Sequence, residues 1–587
     1  MTFFCSFEQK IFIMLDFLKS TLSSLLAMIL MFVLFIIFII AIIPEDEETK
    51  VKENSVLKIE FKDAILDRSS ENPFESINSM DFSVENSVEL KDVLDNIEKA
   101  KNDENINGIY LNFSNIQAGF SQVEEIREKL LDFKESGKFI YAYSDSYSQS
   151  AYYLASVADK VFLNPEGTVM LTGFSAGVMF YKDLLDKLGI DMQIIRHGKF
   201  KSAVEPYMYN SMSKENREQL EKLLNSISDN MISSISKSRG VSQADINKAM
   251  NQLLLNSSAD CKDLNFVDVI VYEDEVLEIL DENSENTILF TEYMNVKSKN
   301  QSISSDKIAV IYATGAINSG EGSHNTIGSE TTVKAIRKAT KDENVKAIVL
   351  RVNSPGGSAL ASDVILRELE LAKQKKKIVV SMGDYAASGG YYIACNADKI
   401  FANHSTITGS IGVFGVIPST KKLLNEKLGL YIDTVNTHKY SDGFQGYRSL
   451  TDYEKAVIQE SVEQVYETFI TYVSEGRNMT KEEVNAIGQG RVWSGTDALS
   501  IGLVDEIGGL EDAIVSAASL AELEDYRVIT LPKKEDPIKE IMESFSVKHS
   551  ISLPEFIGIS DETINHLEFL NSKDKIQARI PFLFEIR

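Results

Sequence analysis

Apolar positions in this chain follow two patterns. From Leu25 to Ile43 they are continuous, LLAMILMFVLFIIFIIAII, with no charge and no proline. About 20 apolar residues cross the hydrocarbon core of a bilayer, so this run predicts one N-terminal transmembrane helix. Large side chains continue up to Pro44 and no small-residue cleavage pattern follows, which favours an uncleaved anchor over a signal peptide. Beyond the run, short β-rich segments alternate with amphipathic ones. GIYLNF, KFIYAYS and KVFLN, and later AIVLRV, KIVVSM and KIFAN, have strand character. QVEEIREKLLDF and ASDVILRELELAK place apolar residues at helical spacing, and Ser213–Ser236 and Thr451–Glu475 do so over greater lengths. Strands separated by helices predict βαβ units around largely parallel sheets.

The alternation occurs twice. DENINGIYL at Asp103 recurs as DENVKAIVL at Asp342, an offset of 239 residues. YYLASVADKVFLN at Tyr152 recurs as YYIACNADKIFAN at Tyr391 at the same offset, and KLG at Lys187 recurs at Lys427 at 240. Register held over this distance implies a duplicated domain. Polar stretches after Pro44 and at Lys297–Asp306 mark the boundaries. The expected division is a cytoplasmic lead (1–24), a transmembrane anchor (25–43), a linker (44–55), a first repeat (56–300), a second repeat (301–531) and a tail (532–587) that the pattern does not place.

Composition narrows the function. A chain of 587 residues exceeds one ordinary core. Its formal net charge of -27 repels phosphate backbones and argues against a nucleic-acid partner. The three cysteines, Cys5, Cys261 and Cys395, form no disulfide framework or CxxC spacing. The six histidines contain no HExxH pair, so no zinc site is expected. Lys10 and Lys19 precede the apolar run and EDEE follows it. This asymmetry places the N-terminus in the cytoplasm and the bulk of the chain on the extracytoplasmic side of the inner (plasma) membrane. Met14 is an alternative start.

Differences between the repeats point to the chemistry. The second repeat reads Asn353-Ser-Pro-Gly-Gly-Ser358 where the first reads Ser114-Asn-Ile-Gln-Ala-Gly119. Gly356 and Gly357 suit either an ordinary strand-to-helix turn or a pair of exposed N–H groups for an oxyanion. GDYAASGGYY at Gly383 aligns with SDSYSQSAYY at Ser144, which sets Ser388 opposite Gln149. A serine among small residues at a helix start is either a cap or a nucleophile. HGKFKSAVEPY at His197 aligns with THKYSDGFQGY at Thr437, which sets Lys201 opposite Ser441. A lone lysine is ordinarily a solvated charge, but here Phe200, Ala203 and Val204 surround it. The candidate base therefore belongs to the first repeat and the candidate nucleophile to the second. His404 and His324 could instead serve a Ser-His-Asp triad, and Ser410 is a second candidate nucleophile.

Taken together, GDYAASGGYY, NSPGG, TGSIGVFG at Thr408 and KFKSAVEPY resemble the long, two-repeat form of signal peptide peptidase A, also called protease IV. The resemblance covers nearly the whole chain after the linker. It implies an α/β fold of tandem duplicated Clp protease/crotonase-like domains preceded by one N-terminal transmembrane helix. By resemblance, Ser388 is the nucleophile, Lys201 the general base, and Gly356 and Gly357 form the oxyanion hole. It also implies a homotetramer that degrades signal peptides and other short hydrophobic peptides without metal or organic cofactor, its dyad formed within one chain. The alternatives are a crotonase-like enzyme acting on an acyl thioester and a catalytically silent, membrane-bound scaffold.

Overall fold

Two largely parallel sheets carry the duplication. The computed structural model describes residues 19, 21–28, 30–31, 50–69, 86–283, 286–297, 302–323, 325–534 and 576–579. The first sheet is ordered Val269–Ile270, Lys160–Leu163, Phe139–Ser144, Ile106–Asn112, Ser55–Ile59, Asn286–Leu289, with every pair parallel. The second repeats its centre as Lys399–Ala402, Lys377–Ala387, Val345–Ser354, Lys307–Thr314 and Arg527–Leu531, again parallel. Ile106 and Val345 begin corresponding strands at the 239-residue offset. Helices cover both faces, so the central strands are apolar almost throughout, as in the fully buried Ile348, Val349 and Leu350. The first strand already includes Ser55, the last residue of the expected linker.

The two long helices are also counterparts. Lys214–Arg239 and Asp452–Arg477 have 26 residues each. Ser213 and Thr451 cap their N-termini by accepting from the main-chain N–H of Asn216 and Glu454. Gly240 and Asn478 end them in the left-handed conformation, at φ 69° and 54°. Ile458, Val462, Tyr466, Phe469 and Val473 form one buried stripe that packs into the core of the second repeat.

A third sheet draws on both repeats and the tail. Its order is Thr326–Gly328, Ala316–Asn318, Gly356–Ser358, Ile576–Arg579, Phe414–Ser419, Asp191–Arg196. Asp191–Arg196 of the first repeat runs antiparallel to Phe414–Ser419 of the second. The tail, which the hydrophobic pattern left unplaced, inserts Ile576–Arg579 antiparallel between Gly356–Ser358 and Phe414–Ser419.

A buried ion cluster also links the repeats. Arg351 of the second donates from Nε to Asp67 at 2.8 Å and from Nη2 to Glu125 at 2.7 Å, both in the first. All three side chains are buried.

By contacts the chain forms two units, residues 1–51 with 291–297, and Lys52–Phe290 with Ser298–Arg587. Most of the expected span lies outside the described residues. Its described members, 25–28 and 30–31, are helical, and no helix among the described residues is long and apolar enough to cross a membrane.

Candidate active site

Ser388 sits where the Lys377–Ala387 strand ends and the short Gly389–Ala394 helix begins. Its backbone has φ 55° and ψ -111°, a conformation that costs a residue with a side chain about 1–3 kcal/mol. Two main-chain hydrogen bonds hold it there. Ser388 N–H donates to the Gly409 carbonyl, and Tyr392 N–H donates to the Ser388 carbonyl, both at 2.8 Å. The small neighbours are a steric necessity. A β-carbon on Gly389 would lie 2.7 Å from Ser362 Oγ, and one on Gly390 would lie 2.7 Å from the Ser354 carbonyl oxygen.

Lys201 comes from the other repeat. It follows the Asp191–Arg196 strand and precedes the 3-10 turn Ser202–Val204. Because that strand pairs with Phe414–Ser419, the lysine is delivered into the second repeat. Lys201 Nζ lies 2.7 Å from Ser388 Oγ. It also donates to Ser410 Oγ at 3.0 Å and to the Ser410 carbonyl at 3.2 Å. The side chain is wholly buried, and burial holds its pKa well below the ordinary lysine value. These three acceptors carry no formal charge, so the amine has no carboxylate among them to favour its ammonium form. With the amine neutral, the Ser388 hydroxyl donates to Nζ while Nζ donates to Ser410.

The glycines adjoin this pair. A β-carbon on Gly356 would lie 2.7 Å from Gly389 N, and one on Gly389 would lie 3.1 Å from Gly357 N. Gly356 N–H is already engaged, donating to Ser354 Oγ at 3.1 Å. The amides of Gly357 and Gly389 adjoin each other beside Ser388. Gly389 was not singled out from sequence, although its position directly after the serine was a usable signal. The tail strand lies across this niche with Ala578 opposite Gly357, and the Ala578 carbonyl oxygen rests against Gly356 and Gly389.

The corresponding residues of the other copies make no such pair. Gln149 is held by accepting from Gly173 N–H at 2.8 Å and Thr172 N–H at 3.2 Å. Ser441 is exposed and accepts from His438 N–H at 3.1 Å. His404 Nδ1 contacts Thr496 Oγ1 at 2.9 Å, away from the serine, and His324 lies outside the described residues.

Asn353 ties the surrounding loops together. Its Nδ2 donates to Asp67, and its Oδ1 accepts from Tyr385 N–H at 3.1 Å. Neighbouring Asp384 accepts from Ser121 N–H of the first repeat at 2.9 Å. Burial, reinforced by the charge of Asp67, pushes the Asp384 carboxyl up to about 6.

The sequence profile of peptidase family S49 matches residues 132–287 and 370–524. Protease 4 of Salmonella typhi is 38% identical over 493 residues, covering 82% of this chain and 79% of that protein. The chain belongs to peptidase family S49. Its matches fall once in each repeat, so the S49 unit is present in tandem within an α/β fold. Protease 4 of Haemophilus influenzae is 36% identical, covering 73% of this chain and 72% of that protein. The chloroplastic serine protease SPPA of Arabidopsis thaliana is 33% identical, covering 84% and 74%. This S49 member is a serine protease. A ClpP1 mutant from Listeria monocytogenes is similar over 35% of this chain and 94% of that chain, at 17% identity and a TM-score of 0.24, too slight a likeness to assign a fold.

Proposed function

We propose that this serine protease is a membrane-anchored endopeptidase in which Ser388 is the nucleophile and Lys201 the general base. The observation that carries the assignment is the 2.7 Å approach of Lys201 Nζ to Ser388 Oγ in a fully buried setting. A serine hydroxyl needs a base, and a lysine kept neutral by burial supplies one. Neutral Lys201 takes the proton from Ser388 Oγ as the oxygen attacks the peptide carbonyl carbon. The amides of Gly357 and Gly389 receive the developing oxyanion. The Lys201 ammonium then returns its proton to the leaving amine, the C–N bond breaks and an acyl-enzyme remains. Water, deprotonated by Lys201, attacks the ester, and collapse releases the acid and restores Ser388.

The tail strand supports an extended mode of substrate binding, antiparallel to Gly356–Ser358, with the carbonyl to be attacked in the glycine niche. The proposed substrates are cleaved signal peptides and other short hydrophobic peptides. They fit the family resemblance and an enzyme held at the extracytoplasmic face of the inner membrane by residues 25–43. The proposed fold kinship is with Clp protease and crotonase, and the proposed assembly is a homotetramer. A silent scaffold and an acyl-thioester enzyme have no comparable support.

The test is hydrolysis of a hydrophobic peptide by the purified chain, together with covalent labelling by a serine-directed acylating probe. Ser388→Ala should abolish labelling and lower turnover by at least about 10³-fold without unfolding the protein. Retention of labelling would transfer the role to another serine, with Ser410 first in line.

A further inference from the structure

The edge that holds the tail strand has a counterpart in the first repeat, and there it is open. At the 239-residue offset, Gly356–Ser358 corresponds to residues 117–119. In the second repeat this edge is paired on both sides, with Gly357 opposite Ile317 on one and Ala578 on the other. In the first repeat one side is met, because Ile65 N–H donates to the Gln117 carbonyl at 2.8 Å. The other side has no strand against it. Ala118, the counterpart of Gly357, is half-buried and engages neither its N–H nor its carbonyl among the described residues. Main-chain groups left unmet in this way are a template for an added strand.

Beside the open edge lies a cavity of about 1130 Å³ with Gln149 on its wall. The frame of the second repeat's site is kept there. Ser388 Oγ lies 3.4 Å from the Gly412 carbonyl, and Gln149 Nε2 donates at 3.3 Å to the carbonyl of Gly173, the counterpart of Gly412. The reactive groups are not kept. The Gln149 Oε1 is spent on Gly173 N–H and Thr172 N–H, and Ala118 and Ser150 replace Gly357 and Gly389.

Size, lining and charge indicate the occupant. The volume exceeds the roughly 300–1,000 Å³ of small-molecule sites and suits a length of peptide. Ile116, Met170 and Phe174 give the wall apolar surface. Asp384 is the one acidic residue in the lining, and no lysine, arginine or histidine stands with it. Its carboxylate lies against Gly119, at the open edge, and accepts from Ser121 N–H at 2.9 Å. A lone carboxylate in a wall without cations favours a positively charged occupant and repels an acidic one.

We propose that the cavity around Gln149 is a second peptide-binding groove, which holds an extended, apolar segment bearing a basic residue and does not cut it. The segment pairs through its main chain with residues 117–119, as the tail strand pairs with Gly356–Ser358, and sets its basic side chain toward Asp384. The proposal rests on the reading that peptides bind this protein as extended strands, and it adds a site to that reading. Asp384 and Tyr385 belong to the Lys377–Ala387 strand that leads to Ser388, so a chain held in this groove lies along the element that carries the nucleophile. A substrate gripped there is retained between successive cuts made elsewhere along its length.

The test uses the full-length Ser388→Ala chain in detergent and a leucine-rich peptide that carries one arginine and one benzoylphenylalanine. Irradiation, digestion and mass spectrometry should place cross-links within residues 115–119 or 170–175, and excess unlabelled peptide should remove them. Exchanging the arginine of the peptide for glutamate should lower this labelling at least about tenfold. Ser175 is exposed and lines the cavity, so Ser175→Trp should fill the groove and abolish the labelling with an unchanged circular-dichroism melt. Cross-links confined to the second repeat's groove, or none at all, would overturn the proposal. So would labelling indifferent to competitor, to the charge of the peptide and to Ser175→Trp. A cavity covered by another copy of the chain would go unlabelled and counts with the first of these. None of the results bears on the peptidase assignment, which is read through hydrolysis by the parent chain.

Discussion

Gly490 packs against the backbone of Lys201 so closely that a β-carbon on the glycine would stand 2.6 Å from the lysine Cα. Gly490 adopts φ 84° and accepts no side chain comfortably. Gly490→Ala should therefore displace Lys201 without altering its chemistry. A displacement on the order of 1 Å costs about 10²-fold in rate. The expected result is a kcat lowered to that extent with KM little changed, measured by steady-state hydrolysis of one peptide.

The depressed pKa of Lys201 ties activity and stability to pH in the same direction. Activity should rise with pH as the buried amine loses its proton and level off once it is neutral. Between the depressed folded value and the ordinary lysine value of 10.5, the unfolded chain carries one more proton than the folded chain, so stability from this group rises with pH across that window. Lys201→Met keeps the length and removes the charge. It should be inactive, melt at a higher temperature than the parent at neutral pH, and show a shallower rise of stability with pH. Peptidase activity retained by Lys201→Met would exclude the lysine as base.

Breaking the buried cluster should be costly. Asp67→Ala leaves the Arg351–Glu125 pair in place but takes from the buried Arg351 Nε its carboxylate acceptor, and loss of a hydrogen bond to a charged group costs about 1.5–3 kcal/mol. Denaturant unfolding should show a loss of that size. Because Asp67 also holds Asn353 and reinforces the raised Asp384, peptide hydrolysis should fall as well.

The tail strand occupies the groove proposed for substrate. A tethered competitor acts at a high effective concentration, so its removal should raise kcat/KM for an added peptide by about tenfold or more. Truncation after Lys534 tests this, with the active-site serine titrated by an acylating probe to count competent molecules. A truncated chain that folds and labels fully but hydrolyses no faster would show that the strand does not compete.

Much of this architecture could be read from periodicity. DENINGIYL and DENVKAIVL gave corresponding strands because residues buried on both faces of a parallel sheet tolerate little but apolar side chains. The separation of Ser388 and Lys201 into different repeats was visible because duplication supplies an internal control at Gln149 and Ser441. What escaped were relationships made only by folding. The contact of Ser410 with Lys201 joins residues 209 apart in sequence, and that of Arg351 with Asp67 joins residues 284 apart. Neither has a local signature. Ile576–Arg579 escaped for another reason, since a four-residue strand carries too few positions to establish a period.

The central place in the third sheet also bears on how cellular proteins would be told apart. A chain lying there adds as a strand stitched on both sides, by Gly356–Ser358 and by Phe414–Ser419. Only a segment whose own amides and carbonyls are free can enter such a seam. A native neighbour has already committed those groups to its own helices and sheets, while a discarded or denatured fragment has not. If substrate binds there as proposed, the groove would work as a gauge of foldedness, taking in debris by its unspent backbone and passing over finished proteins of almost any surface composition.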